Sequence, residues 1–438
     1  MPFVSTRRPA GAAVTLADAV QRGLAPDGGL YVPAAIPVLT ADEWAALRGR
    51  SLPDVATALL APLVADTFDE AALGRLMASA LDFPIPLVPL APDLLVLELF
   101  HGPTLAFKDV GARTMARWLA AVAGTADPRP LTVLVATSGD TGGAVAHAFH
   151  QVAGTRVVVL YPRGRVSPVQ EAQFATLGGN ITAVAVEGAF DDCQRMVKEA
   201  FADAALARGL RLTSANSINI GRLLPQMAYY AWAALQLPAG TSPPTVVVPS
   251  GNLGNLTAGV MAQRRGVPLG SFVVATTVND PLPRFLVSGR YEPRPSVPTL
   301  ASAMDVGAPS NFERLSWLFA DEVAAMRAAM TGVTVSDADI RVALRDLADR
   351  FGYLADPHTA VAYLGRPGAA KPAVTAGASP TVILATAHAA KFREVVEPAL
   401  GRTVPLPAAL ADRLAWPPLV VPAAPTLAAL REVLAALD

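Results

Sequence analysis

The chain holds 438 residues, 52% apolar and 16% charged, so it can bury a large core, and disorder as its main state is excluded. Thirty-five basic against 36 acidic residues give a formal net charge of −1, without the basic excess of a nucleic-acid-binding protein. This length fits two packed domains, or one large α/β domain with additions.

The first 88 residues form an N-terminal region. A helical run at Thr15–Gly23 is followed by Pro26-Asp27-Gly28-Gly29-Leu30-Tyr31-Val32-Pro33, a turn leading into a short extended piece. Helical patterns follow at about 41–48, 51–64 and 69–80, and Pro84–Pro92 reads as a linker or domain edge. Residues 89–235 then alternate strand and helix: strand Leu94–Leu99, helix Lys108–Ala123, strand Leu131–Thr137, helix Gly143–Val152, strand Arg156–Tyr161, a helix near 167–177, strand Ile181–Val186, and helices Asp191–Arg208 and Ile220–Leu235. Residues 236–400 continue with strand Thr245–Pro249, helix Leu256–Arg265 and strand Phe272–Thr277. A proline-rich irregular connection is expected over 281–310. Helices at 311–330, 337–351 and 357–365, strand Thr381–Thr386 and helix Ala389–Glu397 follow. Residues 401–438 form a tail that ends in the amphipathic helix Thr426–Leu437. Alternating helices and Val-rich strands imply βαβ units around parallel sheets, an α/β fold.

Mean hydropathy is +0.39. The charge-free stretch between Arg222 and Arg264 is broken by Pro225, Pro238, Pro243, Pro244 and Pro249, so no span of roughly 20 apolar residues survives. The first fifteen residues lack signal-peptide form, and a soluble, cytoplasmic protein is expected. A lone cysteine, Cys193, rules out an internal disulfide and points to no metal site. His147 and His150 share a helix without an evident third ligand. Of the 35 basic residues only Lys108, Lys198, Lys371 and Lys391 are lysines. Covalent amine chemistry requires lysine, so a lysine inside a tight motif carries extra weight.

Ligands in open α/β sheets bind at the carboxyl ends of strands. Four polar segments fall at such places, and a fifth opens a helix. In Phe100-His101-Gly102-Pro103-Thr104-Leu105-Ala106-Phe107-Lys108-Asp109 a lysine opens a helix, where the dipole favours its neutral amine. In Thr137-Ser138-Gly139-Asp140-Thr141-Gly142-Gly143, small residues and hydroxyls leave backbone N–H groups for an anion. Ser250-Gly251-Asn252-Leu253-Gly254-Asn255 is neither a Walker loop nor a dinucleotide fingerprint, and fits a monophosphate cradle in which the glycines permit positive φ. Thr386-Ala387-His388 closes the late strand, and Asn216-Ser217-Ile218-Asn219-Ile220-Gly221-Arg222 starts a helix with an arginine suited to phosphate.

In order and spacing these segments resemble the threonine synthases, pyridoxal-phosphate enzymes of the tryptophan-synthase-β-like fold, in their microbial and fungal branch. The resemblance rests on Pro26–Tyr31, His101–Asp109, Ser138–Gly142, Asn216–Arg222 and Ser250–Asn255, with Ala303–Gly307, Asp356-Pro357-His358-Thr359-Ala360 and Thr386–His388. It implies two three-layer parallel-sheet domains (fold type II) with an N-terminal extension. Lys108 would hold pyridoxal 5'-phosphate covalently; Gly251, Asn252, Leu253, Gly254 and Asn255 would bind its phosphate; Thr386 would face its ring nitrogen. Ser138, Gly139, Asp140 and Thr141 would hold the substrate carboxylate, and Ser217, Asn219 and Arg222 the substrate phosphate. His101 and His388 would orient cofactor or substrate. Many relatives in this fold carry asparagine where Asp140 stands, which leaves open the group that contacts the cofactor hydroxyl. The implied reaction takes O-phospho-L-homoserine and water to L-threonine and phosphate, in a monomer or homodimer. The competing readings are a related phospho-lyase releasing 2-oxobutyrate and a non-catalytic phosphate-ligand binding protein.

Overall fold

The structure, a computed structural model, describes residues 1–7, 11–122, 127–367 and 379–437. Ala123, the last residue expected in the lysine-bearing helix, and Lys371 lie outside them. A short antiparallel pair, β1 (Phe3–Ser5) and β2 (Tyr31–Pro33), holds the N-terminal region. In chain order there follow β3 (Leu87–Ala91), β4 (Leu94–Glu98), β5 (Leu131–Ala136), β6 (Thr155–Pro162), β7 (Ile181–Val186), β8 (Leu212–Ser214), β9 (Thr245–Pro249), β10 (Phe272–Thr276), β11 (Met330–Thr334), β12 (Thr381–Ala385) and β13 (Val420–Ala423).

These eleven strands make two sheets flanked by helices. One has the order β11-β10-β9-β12-β4-β3 and the other β13-β7-β6-β5-β8. All neighbours are parallel except β3, which pairs antiparallel with β4. Central strands such as Leu131–Ala136 are buried along their whole length, as expected of parallel strands covered on both faces. The N-terminal helices Leu52–Val64 and Glu70–Ala80 have no separate core: Leu59, Leu63 and Met77 share one apolar cluster with Met115, Trp118 and Met227.

The sheets cut across the expected region boundaries. β4, placed with residues 89–235, pairs with β12, and β13 from the C-terminal tail joins the other sheet. The expected linker Pro84–Pro92 contains β3. Proline is tolerated there because β3 is an edge strand, and its register shifts between Pro89 and Ala91. The irregular connection 281–310 contains helix Pro281–Ser288, whose prolines sit in its first turn, where no backbone N–H is needed. The helix expected over Asp191–Arg208 breaks at Asp203, whose carboxylate caps a second helix, Ala204–Gly209. That over Ile220–Leu235 narrows to a 3-10 turn at Leu224–Gln226, where Pro225 removes a donor. The helix expected at Gly143 begins three residues earlier, at Asp140. Among the described residues no helix is long and apolar enough to cross a membrane.

Candidate active site

The strand-end loops of both sheets converge on one cavity. Lys108 follows β4, Thr386 follows β12 and the Ser250–Asn255 loop follows β9, all in the six-stranded sheet; Ser138–Thr141 follows β5 and Ser217 follows β8, in the five-stranded sheet. Because β4 and β12 are neighbours, Lys108 and Thr386 come side by side. Their loops are tied by Phe107 N–H donating to Thr386 O (2.9 Å) and His388 N–H to Leu105 O (3.1 Å).

Lys108 opens the helix Lys108–Val122, and its side chain is 15% exposed, with Nζ 4.0 Å from Asp140 Oδ2. Burial lowers its amine from the usual 10.5 to about 8; Asp140 opposes this, and the cations Lys391 and Arg222 add to it. Burial would raise the Asp140 carboxyl, yet Lys391 and Lys108 outweigh it and hold that carboxyl well below the usual carboxylate range. Asp140 Oδ1 accepts from Lys391 Nζ (2.8 Å) and from Gln170 Nε2 (2.8 Å).

Helix Gly254–Arg264 opens onto the same cavity at its N-terminus. The left-handed residue of this loop is Leu253 (φ 62°), not a glycine as expected. Gly251 is needed for close approach instead: a Cβ there would lie 2.8 Å from Met304 Cα and 3.1 Å from Ala303 O. Asn252 Nδ2 donates to Ser217 Oγ (2.5 Å), and Asn252 Oδ1 accepts from Ser310 N–H (2.6 Å), which fixes the loop from two sides. Asn255 Oδ1 accepts from Tyr229 (2.7 Å) and Tyr230 (2.6 Å), while its Nδ2 is buried with no partner among the described residues. A buried orphan donor at a helix N-terminus calls for an anionic or polar ligand. With the Lys108 amine across the cavity, the residues present fit pyridoxal phosphate.

Ser217 Oγ also accepts from Asn311 Nδ2 (3.3 Å), so its own hydrogen is left for a ligand. Arg222, 3% exposed, lines the same region; its Nη1 donates to Ala215 O and its Nε has no partner among the described residues.

Twelve of the residues singled out from sequence line this cavity: Lys108, Ser138, Asp140, Thr141, Ser217, Arg222, Gly251, Asn252, Leu253, Gly254, Asn255 and Thr386. Two do not. Asn219 is fully buried and its amide is fully engaged: Nδ2 donates to Val20 O (2.8 Å) and Ser214 O (3.0 Å), and Oδ1 caps Gly221 N–H (2.9 Å). Gly139 already donates its N–H to Thr137 Oγ1 (2.9 Å), and a Cβ on it would meet Gln170 at 2.5 Å; it serves the turn. His101 and His388 also stay outside the cavity. His101 pairs with Glu98 (2.7 Å), and His388 Nδ1 accepts from Ala390 N–H (3.1 Å). Cys193 is buried, its thiol pushed up to about 12 by burial and Asp192, so it is no nucleophile.

Sequence reasoning gave no role to His358, which lines the cavity. Its Nδ1 is held by Asp356 (2.5 Å) and its Nε2 accepts from Ala303 N–H (3.2 Å), bracing the backbone that Gly251 touches. The motif Asp356-Pro357-His358 was a signal for it. Lys391, fully buried behind Asp140, was signalled only by the scarcity of lysine.

A lysine-bearing strand end facing an anion-binding helix N-terminus defines a pyridoxal-phosphate-dependent enzyme, and residues 82–387 match the family model described by that name. Residues 2–81 match the threonine synthase N terminus, and residues 359–433 the threonine synthase C-terminal family. The chain is 45% identical over 405 residues to threonine synthase of Serratia marcescens, covering 92% of each. It is 43% identical over 422 residues to that of Escherichia coli strain K12, covering 96% of each. The crystal structure of Escherichia coli threonine synthase superposes with a TM-score of 0.93 at 41% identity over 100% of both chains. That of pyridoxal-phosphate-bound threonine synthase from Brucella melitensis gives 0.91 at 37%, covering 99% of this chain and 98% of the other. The chain belongs to the threonine synthase family.

Proposed function

We propose that this chain converts O-phospho-L-homoserine and water to L-threonine and phosphate in the cytoplasm, with pyridoxal 5'-phosphate held by Lys108. The observation that carries this reading is a cavity that holds, besides the loop Gly251–Asn255 at a helix N-terminus, two further groups suited to an anion: the Ser217 hydroxyl, which touches that loop through Asn252, and Arg222. The loop suffices for the cofactor phosphate, and a phosphorylated substrate accounts for Ser217 and Arg222.

When bound, the cofactor supplies an electron sink that acidifies the carbons of a substrate amino acid joined to it. The Lys108 amine, lowered to about 8 so that a neutral fraction is present near that pH, takes the proton from Cα and returns protons later in the turnover. Its companion Asp140 stays ionised and balances the charge on Lys108 whenever the amine is protonated. Ser138 and Thr141, with the backbone N–H groups of Asp140 and Thr141 at the start of helix Asp140–Phe149, hold the substrate carboxylate. Ser217 and Arg222 hold the substrate phosphate, which leaves from Cγ before water adds at Cβ. Gly251–Asn255 would hold the cofactor phosphate, and Thr386 would face the ring nitrogen.

The test is product analysis after incubation of the loaded enzyme with O-phospho-L-homoserine. Threonine and phosphate in equal amounts are expected. Release of 2-oxobutyrate would favour a phospho-lyase, and no turnover a binding protein.

A further inference from the structure

Lys391 has no part in the chemistry described so far, yet its side chain is fully buried in the short 3-10 turn Ala389–Phe392. Burying an ammonium is costly unless it is paired and hydrogen-bonded. Here Nζ contacts Asp140 Oδ1 at 2.8 Å and donates to Thr104 O at 2.8 Å. Thr104 belongs to the loop that leads into Lys108; its N–H and hydroxyl are held by Asp109 at 2.9 and 2.7 Å. The single ammonium therefore clamps the loop that carries Lys108 to the helix that carries Asp140. The other oxygen of that carboxylate faces Lys108 Nζ at 4.0 Å. Lys391 does not line the cavity, and both its close partners lie within the protein, so it is poorly placed to react with a ligand itself.

We propose that Lys391 is a positioning residue for Lys108: it fixes Asp140 in place and, as a second buried cation beside the same carboxylate, biases the Lys108 amine towards the neutral form.

Lys108 is faced by Asp140, Lys391 and Arg222; Asp140 by Lys391, Lys108 and His358; Lys391 also bears on Asp109, His147 and His388. Of the groups that face Lys108 only Asp140 favours its protonated form, and Lys391 shares that carboxylate. With Lys391 removed, Lys108 would be the ammonium nearest Asp140, whose Oδ1 would keep only the Gln170 amide.

This inference rests on the reading of Lys108 as the reacting amine. The test uses the full-length protein without cofactor, grown with lysine carrying carbon-13 at Cε. Four lysines give four NMR signals, assigned by single substitutions. The Lys108 signal is expected to titrate near pH 8. In Lys391→Met its midpoint should rise by about one pH unit or more, a roughly tenfold loss of neutral amine at pH 8. An unchanged midpoint would overturn the proposal. Should Lys391→Met fail to fold, Asp140→Asn decides: the Lys108 midpoint should fall, because Lys391 and Arg222 then face the amine without a counter-charge. A midpoint that stays or rises would overturn the clamp. Failure of the Lys108 reading has a different signature: uptake of pyridoxal phosphate without a visible absorbance band that depends on Lys108.

Discussion

Replacing Gly251 by alanine should weaken cofactor binding through one steric contact. Gly251 has no positive φ, so the strain is not torsional. The new Cβ would stand 2.8 Å from Met304 Cα and 3.1 Å from Ala303 O. Carbon atoms rest at about 3.5–4.0 Å, so the two backbones must part by about 0.7–1.2 Å. The 303–304 side is anchored: Ala303 N–H donates to His358 Nε2 and Met304 N–H to Ala301 O. The loop at 251 therefore moves, and its N–H groups with it. A hydrogen bond to a charged group is worth roughly 1.5–3 kcal/mol, so losing one raises the cofactor Kd about ten- to a hundred-fold. Gly254→Ala is the comparison. Its Cβ would meet only side-chain atoms, Ser217 Cβ at 3.3 Å and Asn311 Nδ2 at 3.4 Å, which can give by a few tenths of an ångström. It should cost less than about fivefold, below 1 kcal/mol. The assay is titration of apo protein with pyridoxal phosphate followed by absorbance, with thermal unfolding of each apo variant as a control for folding. Wild-type affinity in Gly251→Ala, or a larger loss in Gly254→Ala, would refute this reasoning.

Lys108→Ala should abolish the visible band of the bound cofactor and lower turnover at least ~10³-fold, as expected of a residue acting in several steps; absorbance spectra and steady-state rates check both. The buried amine also couples to stability. Its folded-state value of about 8 lies below the usual 10.5, so between those values the unfolded chain binds more protons and stability rises with pH. The penalty is complete below about pH 8 and relieved by about 10.5, roughly 3 kcal/mol across the window. Urea unfolding of apo protein at pH 8 and pH 10 should show this slope in wild type and lose it in Lys108→Met. Thr386→Asp should raise protonation of the ring nitrogen and divert turnover towards transamination, because an ionised acid stabilises that proton far more than a hydroxyl does. NMR of nitrogen-15-labelled cofactor reads the first effect; a nitrogen already protonated in wild type would contradict it.

Motifs local to one strand end were legible in the sequence. Lys108, Asp140 and the loop 251–255 each follow a Val- or Leu-rich strand, and the fold only had to bring those strand ends together; Ser217 follows the three-residue β8, which has no such run. What depends on packing was not legible. The helix expected from Gly143 starts at Asp140, and a Cβ on Gly142 would lie 2.6 Å from Thr137 Cγ2, so glycine is there for close approach. Asn219 looked like a ligand donor because its neighbours are; only the fold shows its amide taken up by Val20, Ser214 and Gly221. β11 begins directly after helix Val323–Ala329 and carries an internal Gly332, so its first residue fell in the helix expected over 311–330 and the rest showed no strand pattern. Arg314 falls in none of the motifs, yet it is fully buried and donates to Tyr31 O, Ser217 O and Ile218 O, joining the N-terminal region to the cavity at Ser217.

The most direct test of the proposed chemistry is turnover of O-phospho-L-homoserine in oxygen-18 water, read by mass spectrometry of both products. Loss of phosphate from Cγ breaks the carbon–oxygen bond, so the phosphate should be released unlabelled while threonine carries one oxygen-18 at Cβ. Label in the phosphate, with homoserine as the organic product, would mean simple hydrolysis at phosphorus and would contradict the roles given to Lys108, Ser217 and Arg222.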